Sequence, residues 1–333
     1  MTPVTLAKRA LKFFLPRHAQ RVLRDRYEDL HRRRPRPHRG RPEYGLSPAQ
    51  IYPEGVRFDG CLRDGIAPLL DGLVIAKETP VASIGSCFAE EFGRHMRQGG
   101  FRYIVAENNV MQFSANWGRV YVIPCFRQIV LYSTTGDFPM PVERSEEGWF
   151  DPLREGETGH FATRGEAEAA IRAHRAASRR AFAEARVLIL TLGQSEGWID
   201  RRTGLAWGRR PLRDHDQFDA RIFTLEENVA WLEESLRRLR ELNPQLDVLI
   251  TVSPVPRFAT FAGAEVITTS FAAKCTLRLV AERMTRALPR VWYFPSLEMT
   301  LAYNPHAQMA DNRHVKYGTV DRILELFDAT VVR

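Results

Sequence analysis

The sequence has few cysteines and none of the spacings that mark a zinc knuckle or a disulfide framework. Its four cysteines are far apart and form no C-x-x-C pair; they are Cys61, Cys87, Cys125 and Cys275. Such sparse cysteines are typical of a protein in a reducing compartment. We therefore expect a fold that depends on neither disulfides nor structural zinc.

Long apolar runs are also missing. No stretch approaches the roughly 20 apolar residues that a membrane-spanning helix needs. Lys8, Arg9 and Lys12 interrupt the apolar residues of the N-terminus, so it lacks the layout of a signal peptide. Hydrophobic residues make up 44% and charged residues 26% of the chain, as in ordinary globular proteins. These features predict a cytoplasmic protein.

Excess positive charge is absent from most of the chain. Residues 1–42 hold thirteen Lys and Arg against three Asp and Glu, which leaves 35 basic and 37 acidic residues for the rest. Residues 4–15 place apolar side chains on one helical face beside basic ones, and a Pro/Arg-rich arm follows. This segment is either a solvated tail with a docked helix or a peripheral anchor on an anionic membrane surface. Specific nucleic-acid binding is not expected, since aromatic residues are not interleaved with the arginines.

From about residue 79, apolar strand-like runs alternate with helical patterns. The runs are Val81–Ile84, Tyr103–Ala106, Val187–Leu192, Val248–Val252 and Val291–Phe294. Strands that are apolar on both faces predict a parallel sheet covered on both sides. We predict an α/β fold: a three-layer α/β/α sandwich of flavodoxin-like type with a mostly parallel sheet of about five strands. It forms one domain, residues 43–333, with an insertion around residues 136–180 that is a lid or a surface loop.

Three helices have clear sequence limits. Thr224 and Glu227 form a capping box at the start of a helix that reaches about Leu242, where Asn243-Pro244 stops it. The other two are predicted over Phe271–Ala287 and Thr319–Phe327.

The segment Gly85-Ser86 lies where the first apolar strand meets a helix. A Ser in this position is exposed at the carboxyl edge of the sheet, where open α/β folds place reactive groups. The N–H groups of the new helix could hold an oxyanion. Alternatively, the Ser86 hydroxyl only caps the helix.

Asp311 and His314 supply a carboxylate and an imidazole three residues apart. A Ser hydroxyl becomes a good nucleophile when a His removes its proton and a carboxylate orients that His. Both residues follow the last predicted strand, so they too are expected at the carboxyl edge. A helix-capping turn is the alternative role for this pair.

These residues resemble the GSCFA family, whose name spells Gly85-Ser86-Cys87-Phe88-Ala89, and through it the SGNH/GDSL hydrolases. Thr191–Glu196, Leu249–Pro256, the Ala273-Lys274 helix, Tyr293–Ser296 and the terminal Asp-x-Arg-His-Val also match. The similarity covers about residues 79–328. It implies the sandwich fold, with Ser86 as nucleophile and Asp311 and His314 as the acid and base of a triad.

The resemblance also implies an oxyanion hole. Its expected donors are the Ser86 N–H and a Gly for which Gly118, beside Asn116, is the candidate. The third donor in the superfamily is an Asn, but here Ser195 stands at that position in the run Gly193-Gln194-Ser195-Glu196. Gln194 can replace it only if the loop turns its side chain inward.

Four other sequence features suggest functional roles, but most of them also have a simpler structural interpretation. Cys87 is expected to pack rather than react, because neighbouring side chains at a tight turn diverge. Lys274 and Arg278 share a helical face and either hold an anionic substrate group or are paired internally. His215, between two Asp residues, suggests a metal ligand, but without further ligands a polar loop is the better interpretation. Ser253-Pro254-Val255-Pro256 is expected to be a rigid loop that shapes the pocket.

The function that the resemblance implies is a Ser-dependent esterase or O-acyltransferase without cofactor or metal. Its substrate would be a small-molecule or glycan ester, such as an O-acetyl group on a carbohydrate. The alternative is a catalytically weak module that binds a glycan or a protein partner at a membrane surface. Ser195 in place of the expected Asn and the basic arm favour that alternative.

Overall fold

Strands and helices alternate along most of the chain. The computed structural model describes residues 65–333, apart from 109–112, 137, 155–156, 212–214, 264 and 302–306. The predicted helix and arm of residues 1–42 therefore lie outside the described residues. The chain divides into two units, Met1–Pro68 and Leu69–Arg333, and the second unit contains all the elements named below.

The strands are β1 (Val81–Gly85), β2 (Glu143–Ser145), β3 (Gly148–Phe150), β4 (Val187–Leu192), β5 (Glu196–Asp200), β6 (Ala206–Trp207), β7 (Phe218–Ile222), β8 (Asp247–Val252) and β9 (Val291–Phe294). The α-helices are α1 (Cys87–Gln98), α2 (Ile123–Thr134), α3 (Arg164–Glu184), α4 (Leu225–Leu242), α5 (Val266–Ala287), α6 (Ser296–Leu301) and α7 (Tyr317–Val331).

The central sheet is parallel throughout, in the order β1-β4-β8-β9. Every residue of β1, β4 and β8 is buried. A strand can be buried along its whole length only if both faces of the sheet are covered, as the doubly apolar sequence predicted. The α/β fold with helices flanking a parallel sheet is confirmed.

The predicted strand Tyr103–Ala106 is the exception. It is reduced to one parallel bridge between Tyr103 and Val81, so the described sheet has four strands rather than about five. Past Ile104 the backbone leaves the sheet edge, and the Ala106 N–H donates to the Ser114 carbonyl instead. With this bridge counted as a rudimentary second strand, the order is the flavodoxin-like 2-1-3-4-5.

That strand order fixes where a ligand can bind. The chain passes from β1 to one neighbour and then to β4 on the other side. In open α/β sheets, ligands bind at the carboxyl ends of the strands where the order reverses. Here this point lies beyond β1 and β4, at Ser86 and Gly193.

The helix boundaries follow their caps. The capping box of Thr224 and Glu227 is present and α4 ends at Leu242, both as predicted. Helix α5 begins at Val266, five residues before the predicted start, because the Glu265 carboxylate accepts the N–H groups of Ile267 and Thr268. Helix α7 is longer than predicted at both ends.

Two small antiparallel sheets supplement the main one. The hairpin of β2 and β3 lies within the segment predicted as an insertion, which also contains most of α3. A second sheet, β6-β5-β7, was not predicted. Its strands are only two to five residues long, too short to leave a clear apolar pattern in the sequence.

Among the described residues, no helix is both long and apolar enough to cross a membrane.

Candidate active site

Ser86 stands at the junction of β1 and α1. It is the N-cap residue of α1, with extended backbone angles, but its side chain makes no capping hydrogen bond. The residue is 2% exposed, and Oγ has no hydrogen-bond partner in the described part of the chain. The structure therefore does not use this hydroxyl to cap the helix, which leaves it available for chemistry.

Gly85 makes the sharp turn before Ser86 possible. Its φ of +142° lies in a region that side chains rarely adopt. A Cβ at this position would also overlap the carbonyl oxygen of Thr191 on β4. The Ser86 N–H donates to the same oxygen at 3.2 Å. Backbone contacts to β4 thus fix the serine, and they occupy one N–H that was expected to bind the oxyanion.

Asp311 and His314 lie together on a tight turn that precedes α7. The turn is closed by the bond from Met309 N–H to the His314 carbonyl, with Asn312 in the left-handed region. Asp311 Oδ1 accepts the N–H groups of Arg313 and His314, while Oδ2 lies 2.5 Å from His314 Nδ1. The hydrogen bond from His314 lowers the pKa of Asp311 to about 2. Asp311 thus both caps the turn and orients the ring.

Ser86 and His314 line one cavity of about 700 Å³ at the carboxyl edge of the sheet. Loops after β1, β4 and β8 and the turn at His314 surround it. The two side chains do not form a hydrogen bond, since Ser86 Oγ has no partner in the described residues. Catalytic hydrogen bonds are often long in unliganded sites and shorten when substrate binds.

Gly193 and Gln194, which follow β4, also line the cavity. A Cβ on Gly193 would lie 2.8 Å from the Tyr121 carbonyl oxygen and 3.2 Å from Ser86 Cβ, so only glycine fits. The Gln194 N–H donates to Tyr121, and its side chain donates to Val255 at 3.4 Å. Gln194 Oε1 is buried without a partner among the described residues. The Gln194 side chain thus lines the cavity with this unpaired oxygen, while the amide nitrogen that would have to replace the missing Asn donor is bonded to Val255.

Lys274 of α5 supports this loop from behind. It is 3% exposed, and Nζ donates to the Gly193 carbonyl at 2.6 Å. Burial lowers its pKa to about 7. Within the described residues Lys274 is not part of the cavity lining, so it holds the Gly193 loop rather than a ligand.

Three other sequence candidates lie away from the cavity lining that the structure describes. Ser195 is buried, and its carbonyl accepts the Phe223 N–H. The Asn116 N–H donates to Glu107, and its side chain donates to the Glu157 carbonyl. A Cβ on Gly118 would overlap the Glu157 side chain. These three residues take part in packing and in a polar network beside the site.

Glu196 has a structural role that the sequence did not reveal. It is 1% exposed, accepts hydrogen bonds from the Thr260 hydroxyl and the Phe261 N–H, and pairs with Arg257. These contacts fasten the loop of residues 253–263 over the cavity. The predicted rigid Ser253–Pro256 loop is thereby fixed at its far end as well.

Cys87 and Arg278 differ in their surroundings. Cys87 is half-buried in the cavity lining, and burial raises its pKa, so its thiol stays protonated at neutral pH. Arg278 pairs with Glu282 and Glu298 and stacks on Tyr293, which is the internally paired alternative. His215 begins a short 3₁₀ turn, His215–Gln217, and its side chain is outside the described part.

Six arginines that no sequence motif indicated line the cavity. They are Arg94, Arg119, Arg209, Arg210, Arg257 and Arg313. They come from five separate segments, and only the adjacent Arg209 and Arg210 form a local pattern. Their convergence depends on the strand order, which places loops distant in sequence at one sheet edge.

The fold and the site together define an α/β protein with Ser, His and Asp at the carboxyl edge of a parallel sheet. The profile of the GSCFA family matches residues 80–327, most of the chain. The chain belongs to the GSCFA family, which confirms the resemblance inferred from the sequence.

No curated protein matches the chain. Among solved structures, the chain is similar to the Clostridium thermocellum family 3 carbohydrate esterase. The match has 9% sequence identity, covers 75% of this chain and 94% of that one, and has a TM-score of 0.35. At this score the likeness bears on neither fold nor activity.

Proposed function

We propose that this protein is a Ser-dependent hydrolase of small acyl esters. The observation that carries the proposal is the shared cavity of Ser86 and His314, with His314 held by Asp311 and the Ser86 hydroxyl free of any capping bond. This is the set of groups that nucleophilic acyl transfer requires.

In the proposed reaction Ser86 Oγ attacks the ester carbonyl while His314 Nε2 accepts the hydroxyl proton. The tetrahedral intermediate collapses, and His314 returns that proton to the departing alcohol. Water then attacks the acyl-enzyme, again with His314 as base, and releases the acid and Ser86. Asp311 stays ionised throughout, because its pKa is about 2, and stabilises the charged imidazole.

For the first step the His314 ring must approach Ser86. Its side chain is 52% exposed and sits on a turn, so a small shift of the turn that moves Asp311 and His314 together can bring Nε2 toward Ser86. We propose that bound substrate stabilises this closed arrangement, as in other sites where catalytic hydrogen bonds tighten on binding.

The oxyanion donors follow from the local backbone. The first-turn N–H groups of α1, at Cys87 and Phe88, have no intrahelical acceptor and lie at the positive end of the helix dipole. We assign these two N–H groups to the oxyanion, since the Gln194 N–H and side-chain amide already donate to Tyr121 and Val255. Gly118 is replaced in this role, since Glu157 lies against it.

Water is the proposed acyl acceptor. The side chains of Asp311 and His314 are 44% and 52% exposed, so solvent reaches the base directly. A cavity of about 700 Å³ suits a mono- or disaccharide, within the ~300–1,000 Å³ of ligand sites. An O-acetylated carbohydrate is therefore our proposed substrate, in line with the SGNH resemblance.

Hydrolysis of p-nitrophenyl acetate tests this proposal. We expect saturable turnover that falls at least ~10³-fold in Ser86→Ala and is retained in Ser133→Ala, a buried Ser on α2 that is not part of the cavity lining described. Turnover that is equal in wild type and Ser86→Ala would rule out the serine mechanism.

A further inference from the structure

The cavity beside Ser86 carries more positive than negative charge. Two carboxylates line the described cavity, Glu90 and Glu91, against six arginines. Four of the arginines are neutralised by ion pairs: Arg94 with Glu90 and Glu91, Arg119 with Glu90, Arg209 with Glu157, and Arg257 with Glu196.

Arg210 and Arg313 are the two arginines of the described cavity without such an ion pair. Neither has a carboxylate within ion-pair distance in the part of the chain that the structure describes. The Arg210 guanidinium lies 5.5 Å from the ring centre of Phe261, and that of Arg313 lies 5.3 Å from the ring centre of Phe258. A guanidinium stacked on a ring keeps its N–H edge free for a planar carboxylate or a phosphate.

The positions of these arginines relate them to the reaction. Arg313 is one residue from His314, and its Nη2 donates to the Pro256 carbonyl at 3.3 Å. Both Phe258 and Phe261 belong to the loop that Glu196 fastens over the cavity. An anion bound between the two guanidinium groups would therefore lie beside the catalytic base.

Unsatisfied polar atoms gather around the same space. Five side-chain atoms that are buried without a hydrogen-bond partner in the described residues belong to cavity-lining residues: Ser86 Oγ, Arg119 Nε, Gln194 Oε1, Arg257 Nη1 and Arg313 Nε. Of these, Arg257 Nη1 is ion-paired with Glu196. Buried polar atoms are normally hydrogen-bonded, so such a cluster indicates groups that a ligand satisfies.

We propose that the substrate is an anionic ester: it carries a carboxylate or a phosphate that Arg210 and Arg313 bind while its acyl group reaches Ser86. This rests on the proposed hydrolase function and adds the substrate class. Bidentate, charge-assisted hydrogen bonds from arginine provide both the affinity and the orientation.

Matched substrates test the proposal. O-acetylated methyl galactoside, its counterpart with a free 6-carboxylate (O-acetylated methyl galactosiduronate) and its 6-phosphate share one ring and differ in charge. We expect kcat/KM to be about tenfold or more higher for at least one anionic ester. The two anionic esters distinguish a carboxylate site from a phosphate site.

The double variant Arg210→Gln/Arg313→Gln should reduce this anionic-to-neutral ratio toward one, and so should increasing salt. The ratio is the readout, because Arg313 adjoins His314 and absolute rates can change for both substrates. Arg283→Gln removes the same charge from an exposed position on α5 and should leave the ratio unchanged.

Ser86-dependent hydrolysis with equal kcat/KM for all three esters would overturn the substrate class and leave the hydrolase standing. Absence of Ser86-dependent hydrolysis would overturn the hydrolase instead. In that case, calorimetry with galacturonate and galactose 6-phosphate measures directly whether the proposed site binds an anion. Binding that the double variant loses supports the site, and failure of both anions to bind overturns it.

Discussion

His314 Nδ1 lies 2.5 Å from Asp311 Oδ2, while Oδ1 of the same carboxylate accepts the backbone N–H groups of Arg313 and His314. One side chain thus fixes the turn and the ring together. With Nδ1 committed to Asp311, the nitrogen left to exchange a proton with Ser86 is Nε2.

Asp311→Asn should lower kcat by ~10³-fold or more, because an amide neither selects the tautomer nor stabilises the imidazolium. The pKa of Asp311 is about 2, so Asp311 stays ionised down to pH 4. We therefore expect any fall in wild-type activity between pH 7 and pH 4 to come from the protonation of another group. The measurement is kcat against pH for p-nitrophenyl acetate. Asp321→Asn, at an exposed position on α7, is the control. A kcat within threefold of wild type (about 0.7 kcal/mol) in Asp311→Asn would contradict the assigned role.

Gly85→Ala should destabilise the fold by ~3 kcal/mol or more, since the new Cβ overlaps the Thr191 carbonyl and φ is +142°. Thermal unfolding and soluble yield measure the effect. Gly100→Ala is a matched control, because φ there is +69° but nothing lies within 4 Å of the added Cβ. That control should cost only ~1–2 kcal/mol of backbone strain. Equal losses in the two variants would show that the contact with β4 is unimportant.

Lys274→Met should change how stability depends on pH. Burial lowers the pKa of Lys274 from 10.5 to about 7. Between these values the unfolded chain binds a proton that the folded chain does not, so stability rises with pH. The free energy of unfolding of wild type minus that of Lys274→Met should therefore increase from pH 7 to pH 10, by about 1 kcal/mol or more. Urea unfolding at several pH values measures it, with Lys316→Met as control. A difference that is constant or falls with pH would contradict the lowered pKa of Lys274.

Glu196→Gln should loosen the loop of residues 253–263. The amide keeps the shape but removes the charge that pairs with Arg257, and breaking a buried pair costs ~3–5 kcal/mol. We expect a lower Tm and a KM that rises more than kcat falls, because the loop borders the cavity. Glu226→Gln on α4 is an exposed control. Unchanged Tm and KM would show that the loop does not depend on Glu196.

The sequence predicted the central sheet well because its strands are buried on both faces and leave continuous apolar runs. The four helix-covered strands and the capping box at Thr224 follow directly from such local patterns. Tyr103–Ala106 has the same apolar character, yet it pairs at one residue only. Whether an edge segment extends its ladder depends on where the next loop leads the backbone, which the segment itself does not encode.

The site was predictable where motif and topology coincide. Ser86 was identified because it lies between a strand and a helix, and Asp311 and His314 because they form an Asp-x-x-His motif before the last helix. The N–H groups of the helix after Ser86 were proposed from the sequence, but the surroundings of Gly118 and the cavity arginines were not, because they depend on contacts between distant segments. Gly118 faces Glu157, and Arg210 meets Phe261 across some fifty residues of sequence.

Labelling with a fluorophosphonate, followed by peptide mass spectrometry, tests the nucleophilic role of Ser86 most directly. We predict a single adduct on Ser86 in the wild type, none in Ser86→Ala, and reduced labelling rates in Asp311→Asn. Cys87→Ala should still be labelled on Ser86, since the adjacent thiol is protonated. An unlabelled wild type, or an adduct on Cys87 that persists in Ser86→Ala, would contradict the account.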